Sequence, residues 1–130
     1  PWFSDHIHWQ NFWNGLRGPE GDFILLRNTL NSLIVAVAVT VSTVLLSSMT
    51  GYGLAKFDFK GRNAVFMTIM ATMMIPFEAI MIPLYMVVMG MGLQDTYAGL
   101  TLPFLTSAFG IFLMRQFLLT FPDEVLDAAA

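Results

Sequence analysis

Cysteine is absent from the chain and charge is scarce. Without cysteine there is no disulfide, no thiol nucleophile and no thiolate metal site, and cysteine usage says nothing about redox compartment. The two histidines, His6 and His8, stand i, i+2, a spacing that puts both on one face of a strand, but two histidines without a third ligand on that face are a poor case for a metal site. Charged residues make up 12% of the chain against 56% hydrophobic, a balance too apolar for an ordinary soluble domain. The net charge of -3 leaves no basic footprint for nucleic acid. No P-loop is present. No basic segment followed by a short apolar one opens the sequence, so a cleavable signal peptide is not indicated, and the first residues read as the middle of something longer.

What the chain does have is apolar length. Residues 1–27 mix Trp2, Trp9 and Trp13 with polar residues and glycine, a composition suited to the membrane interface and expected on the extracytoplasmic side. From about 28 to 55 no charged residue occurs, more than the roughly 20 residues that span the hydrocarbon. Along this span Ser32, Ala36, Thr40, Thr43, Ser47, Gly51 and Ala55 recur at spacings of three and four, drawing a small-residue stripe for close helix packing. The same stripe read functionally would line a pathway.

Lys56, Lys60 and Arg62 then cluster in KFDFKGR, a loop that belongs on the cytoplasmic side. A second span is expected at about 64–89, interrupted at Pro76 and Pro83, each of which removes a backbone donor. Glu78 lies between them, the one acid well inside an apolar segment. An ionisable group at membrane depth is costly, so Glu78 faces a partner or a watered cavity, or else lies near the interface and snorkels or bonds a freed backbone group. Pro76, Glu78, Pro83 and Tyr85 are on this basis the candidate translocation-pathway residues.

Gly90, Gly92 and Asp95 mark a turn, and a third span is expected at about 97–119, with Ser107, Ala108 and Gly110 as a second close-packing patch. Lys56, Lys60, Arg62 and Arg115 on one side outnumber Arg17 and Arg27 on the other, which places the N-terminal segment outside and the C-terminus in the cytoplasm. The methionines crowded into the second span, among them Met67, Met70, Met73, Met74 and Met81, suit an adaptable packing surface; a copper site, with no cysteine and both histidines beyond the first span, is the poorer account.

The last residues, 120–130, read TFPDEVLDAAA. Thr120 can cap a helix, Pro122 fits its first turn, and Asp123 and Glu124 suit the positive end of its dipole. A short helix on the membrane surface follows, although a soluble helix can begin the same way.

These residues resemble the inner-membrane permease subunits of binding-protein-dependent ABC importers, of the MalG-like carbohydrate type. The diagnostic feature of that family is a cytoplasmic EAA loop, proline, any residue, Glu-Leu, any residue, Glu-Ala-Ala, then a glycine. Pro122, Glu124, Val125, Asp127, Ala128 and Ala129 match its register, with Val for Leu and Asp for the second Glu, and the glycine would fall beyond Ala130. Asn31-Ser32-Leu33, Gly51 to Phe57, Phe59 to Arg62 and Ile82-Pro83-Leu84-Tyr85 match other family stretches in order and spacing.

The resemblance implies an all-α polytopic membrane bundle of the type I importer (MetI-like) fold, of which this chain is an internal fragment with about three of the spans. It implies a multi-pass protein of a bacterial or archaeal cytoplasmic (inner) membrane that moves a solute, a sugar or related carbohydrate, by alternating access. Its implied partners are cytoplasmic ATP-binding subunits, which carry the ATP hydrolysis so that the chain is not itself an enzyme, a second permease subunit, an extracytoplasmic solute-binding protein and the lipid bilayer, with no cofactor. Pro122, Glu124, Val125, Leu126, Asp127, Ala128 and Ala129 are implied to couple it to the ATPase. The rival readings are a small structural or assembly subunit that translocates nothing, and a membrane enzyme using Glu78, for which no second catalytic group lies at matching depth.

Overall fold

The computed structural model describes residues 8–17 and 23–122, and every element among them is helical. In chain order they are α1 (Gln10–Leu16), α2 (Ile24–Lys56), α3 (Arg62–Thr72), α4 (Phe77–Gly90), α5 (Tyr97–Thr101), a 3-10 turn (Leu102–Phe104) and α6 (Ala108–Thr120). The chain divides into two compact units, 1–37 and 38–130, with the division inside α2.

α2 is long because nothing in it stops a helix. It has 33 residues and no proline, so at 1.5 Å per residue it runs about 50 Å, more than the ~30 Å of hydrocarbon. It starts ahead of the uncharged run, taking in Arg27, whose long side chain can reach away from an apolar surface. Among the described residues it is the single helix long and apolar enough to cross a membrane; α3 with α4, and α5 and the 3-10 turn with α6, meet the same criteria only as bent pairs.

In the first unit the Arg17 guanidinium lies 5.7 Å from the Trp13 ring centroid and 5.5 Å from that of Phe23. This cation sits between two aromatic faces at the two ends of the α1–α2 connection.

In the second unit the break between α3 and α4 has a definite cause. Pro76 has no N–H to continue the ladder, and its ψ of 138° is extended. The turn before it tightens: the N–H groups of Met73, Met74 and Ile75 donate to the carbonyls of Met70, Ala71 and Thr72 at 3.1, 3.1 and 3.3 Å, i→i−3 bonds of the 3-10 kind. The helices on either side meet at 97°. The sequence predicts interruption at both prolines, but α4 runs on through Pro83, which deprives it of one donor without ending it. The interrupted segment is two helices joined by a sharp corner at Pro76.

α4 ends in a Schellman motif. Gly92, at φ 69°, is the left-handed residue; its N–H donates to the Met89 carbonyl at 2.9 Å, and that of Leu93 reaches the Val88 carbonyl at 3.1 Å. Thr96 then caps α5, its hydroxyl accepting from the Gly99 N–H at 3.0 Å while donating to the Leu93 carbonyl at 2.7 Å. The third apolar segment is also broken, by 43°, where the 3-10 turn containing Pro103 gives way at residues 105–107 and Ser107 caps a new helix.

The core of this unit is small. Ser47, Gly51, Leu54 and Ala55 of α2 and Ile111 of α6 are buried, and most other large apolar side chains are exposed, as in a bundle whose outer surface meets lipid.

Candidate translocation and coupling site

The small residues of α2 and α6 are brought together. A Cβ on Gly51 would lie 2.7 Å from the Met114 Cβ, 3.0 Å from the Arg115 nitrogen and 3.3 Å from the Ile111 carbonyl. One on Gly110 would lie 2.7 Å from the Ser47 hydroxyl. The backbones approach this closely only because these residues are small. Polar bonds follow the seam: the Thr43 hydroxyl donates to the Phe104 carbonyl at 2.8 Å and that of Ser47 to the Ser107 carbonyl at 3.4 Å. The Phe104 carbonyl belongs to the break between the 3-10 turn and α6, so Thr43 of α2 satisfies backbone that the bend exposes, whereas the Ser107 carbonyl also accepts the first helical bond of α6, from the Ile111 N–H at 2.9 Å.

The contacts advance in step, Ser47 with Ser107 and Gly110, Gly51 with Ile111 and Met114, Leu54 with Arg115, Lys56 with Phe121. α2 and α6 thus run in the same direction. The lower part of the small-residue stripe, Thr43 to Ala55, lies along this seam, which accords with packing; Ser32, Ala36 and Thr40 are exposed.

At the C-terminal ends of these helices the cations find partners. Arg115 Nε donates to the Leu54 carbonyl at 3.3 Å, and its guanidinium carbon stands 4.1 Å from the Phe66 ring centroid on α3. Phe66 stacks in turn on Phe112, their centroids 6.4 Å apart. Lys56 Nζ donates to the Phe121 carbonyl at 3.0 Å. In the loop between α2 and α3, Arg62 pairs with Asp58 at 2.8 Å and Gly61 takes φ 90°.

The four candidate pathway residues do not converge on one cluster. Pro76 precedes α4 as its N-cap, and Glu78 is exposed in the first turn, where the helix dipole favours its charge. Tyr85, seven residues on and so on the same face as Glu78, lines a cleft of about 550 Å³ between α4, α5 and the 3-10 turn, together with Met81, Val88, Asp95, Leu100 and Phe104. Pro83 lies off that face. Phe77 reaches across from the first break to Phe104 at the second, their ring centroids 6.1 Å apart. No set of three His, Asp or Glu side chains among the described residues could hold a metal ion.

Of the expected coupling residues only Pro122 is described. Phe121 is extended, with ψ 126°, as a residue before proline must be, and the Thr120 hydroxyl donates back to the Phe117 carbonyl at 2.7 Å, closing α6. Glu124, Val125, Leu126, Asp127, Ala128 and Ala129 lie outside the described residues.

From the sequence Arg115 stands out only for its sign, and neither Phe66, Phe104 nor the break at 105–107 stands out at all. Ser107 three residues before Gly110 is the available signal, a cap in the middle of an apolar run.

The proteins to which this chain is similar in sequence are transport-system permeases. The chain is 43% identical over 110 residues to the arabinooligosaccharides transport system permease protein AraQ of Bacillus subtilis, covering 85% of this chain and 39% of that protein. It is 43% identical over 105 residues to the sn-glycerol-3-phosphate transport system permease protein UgpE of Rhizobium meliloti, covering 81% and 37%. The AraQ of Halalkalibacterium halodurans is 40% identical over 99 residues, 76% and 36%. The chain therefore spans under two fifths of the length of these relatives. No protein-family model and no solved structure matches it. The resemblance to sugar-type ABC permeases holds over most of this chain, and its fold class is that of an all-α membrane permease.

Proposed function

We propose that the chain is part of the permease subunit of an ABC importer that moves a carbohydrate or related polyol solute across the cytoplasmic membrane by alternating access. The observation that carries this reading is the 43% identity to AraQ over 85% of the chain. The names of the relatives supply the solute class, oligosaccharide in one case and a polyol phosphate in another, both rich in hydroxyls.

In this reading α2, the α3–α4 pair and the pair formed by α5 with α6 are three crossings, with the N-terminal segment outside and Phe121 onward in the cytoplasm. The shared direction of α2 and α6 supports it, because alternate crossings must run the same way. Residues 120–130 form the coupling segment docked on an ATP-binding subunit, Glu124 and Asp127 anchoring it and Ala128 and Ala129 allowing close approach. The hydrolysis belongs to that subunit. A second permease subunit and an extracytoplasmic solute-binding protein complete the assembly, whose rigid-body motion exposes the pathway to each side in turn.

The test is deletion of the gene, followed by uptake of labelled arabinooligosaccharides, other oligosaccharides and glycerol phosphate. Loss of one uptake activity, restored by the intact gene, is expected; unchanged uptake of every solute together with failed assembly of another membrane complex would make the chain a structural subunit. Replacing Ala128 with Trp in the restored gene should leave ATP hydrolysis running without uptake.

A further inference from the structure

Lys56 and Arg115 cap each other's helices. The last four carbonyls of a helix have no intrahelical partner, and they carry the negative end of its dipole. Leu54 supplies one of these at the end of α2, and it accepts from Arg115 of α6, sixty-one positions away in the chain. Phe121 is the residue that closes α6, and its carbonyl accepts from Lys56 of α2, sixty-five positions away. Each helix thus sends a cation to the other's C-terminus.

Two features stiffen the arrangement. The Arg115 guanidinium carbon stands 4.1 Å from the centroid of the Phe66 ring, which brings in α3, and Phe66 is stacked on Phe112, one turn before Arg115 on α6. Gly51 leaves no slack beneath, since even a methyl group there would meet the Arg115 backbone nitrogen at 3.0 Å. A half-buried cation in an apolar helix is held where it has backbone carbonyls and a ring face to replace water.

We propose that Lys56 and Arg115 are positioning residues that lock the C-terminal ends of α2 and α6 into one lever, so that a displacement applied at Pro122 moves both helices together. The proposal rests on the importer reading for the origin of that displacement, but the clamp itself is a property of the chain in the membrane. The chain leaves α6 at Phe121, the residue that Lys56 holds. Force entering from residues 122–130 therefore meets α2 and α6 at once, and the sliding of one helix past the other is blocked at Gly51. The bends between the 3-10 turn and α6, and between α3 and α4, are then the places left to yield.

The absence of cysteine from these residues makes the test direct. Nitroxide labels on Met49→Cys and Phe117→Cys, both exposed positions on the two helices, report their separation by dipolar EPR. The complex is purified through a tag on this chain, reconstituted in bilayers and measured without nucleotide and with a non-hydrolysable ATP analogue. A single narrow separation that does not change with nucleotide is expected. The double variant Lys56→Gln, Arg115→Gln should broaden it and lower solute moved per ATP hydrolysed by about tenfold, a typical size for a coupling between sites. Arg115→Lys, which keeps the cation over Phe66 but loses the planar donor, should recover part of that loss.

A separation that shifts on nucleotide binding in the otherwise unaltered protein would overturn the lever, whether or not the double variant folds. So would a double variant with unchanged separation and coupling. A narrow separation in a complex that moves no solute would refute the importer reading while leaving the clamp in place.

Discussion

Gly51 of α2 faces Met114 of α6 so closely that a side chain at residue 51 would put its first carbon 2.7 Å from the Met114 Cβ. Two of the other atoms it would meet are backbone, the Arg115 nitrogen at 3.0 Å and the Ile111 carbonyl oxygen at 3.3 Å, and neither can turn aside.

Gly51→Ala should therefore force the helices apart and destabilise the protein by about 1–3 kcal/mol, the usual range for overpacking. Gly53, two residues on in the same helix, has nothing within 4 Å of where a methyl group would stand, so Gly53→Ala should be neutral or gain about 0.5–1 kcal/mol from the lower backbone entropy of the unfolded chain. Unfolding of the two variants in detergent, followed by helical circular dichroism, compares them directly. Equal behaviour would show that the seam does not constrain residue 51.

How much of this is legible in the sequence follows from the range over which each signal acts. α2 is legible because an uncharged, proline-free run is a local property, and the observed helix differs from the expected one mainly by including Arg27. The interruption at Pro76 is legible for the same reason, but the 97° corner is not, because it comes from the i→i−3 bonds of Met73 to Ile75. Pro83 carries the same local signal as Pro76 yet sits inside α4, since a missing donor weakens a helix and only the extended ψ at Pro76 ends one. The small residues of α2 and α6 can be seen as two separate patches. That they meet, and that Lys56 and Arg115 cross between them, depends on residues some sixty positions apart, which one sequence does not reveal.

The second close contact allows a stricter test than a single substitution. A Cβ on Gly110 would lie 2.7 Å from the hydroxyl and 3.1 Å from the Cβ of Ser47, which is 1% exposed and has little room to move. Gly110→Ala alone should be destabilising, and Ser47→Gly alone should also cost stability through the lost bond to Ser107 and the void left behind. Combined, the two changes restore one side chain in the space, so the double variant should be more stable than the sum of the singles by about 0.5–3 kcal/mol. Strict additivity in a double-mutant cycle would mean that Gly110 and Ser47 do not share that space.

At the other end of α4 the constraint is conformational, not steric. Gly92 has open space around it but takes φ 69° to close the Schellman motif. Gly92→Ala should cost about 1–2 kcal/mol, the penalty for an L-residue in the left-handed region. Gly90, helical and equally open, should accept alanine without loss. The stability difference between these two single-methyl variants isolates the backbone term.

Glu78 gives the sharpest functional test of the pathway. It stands in the first turn of α4, on the face that continues through Met81 and Tyr85 to the cleft of about 550 Å³. If solute passes along this face, its hydroxyls would find an acceptor in Glu78 and an aromatic surface in Tyr85. Each good hydrogen bond to a charged group contributes about 1.5–3 kcal/mol, so Glu78→Ala should reduce uptake by at least tenfold, while Glu78→Gln, which keeps the shape and one acceptor, should lose less. Stability should fall only slightly in both, because the charge serves the fold through the helix dipole alone, at about 0.3–1 kcal/mol. Uptake measured in whole cells, at matched amounts of membrane-inserted protein, separates these effects. Full uptake by Glu78→Ala would remove Glu78 from the pathway and leave it as an exposed N-terminal charge on α4.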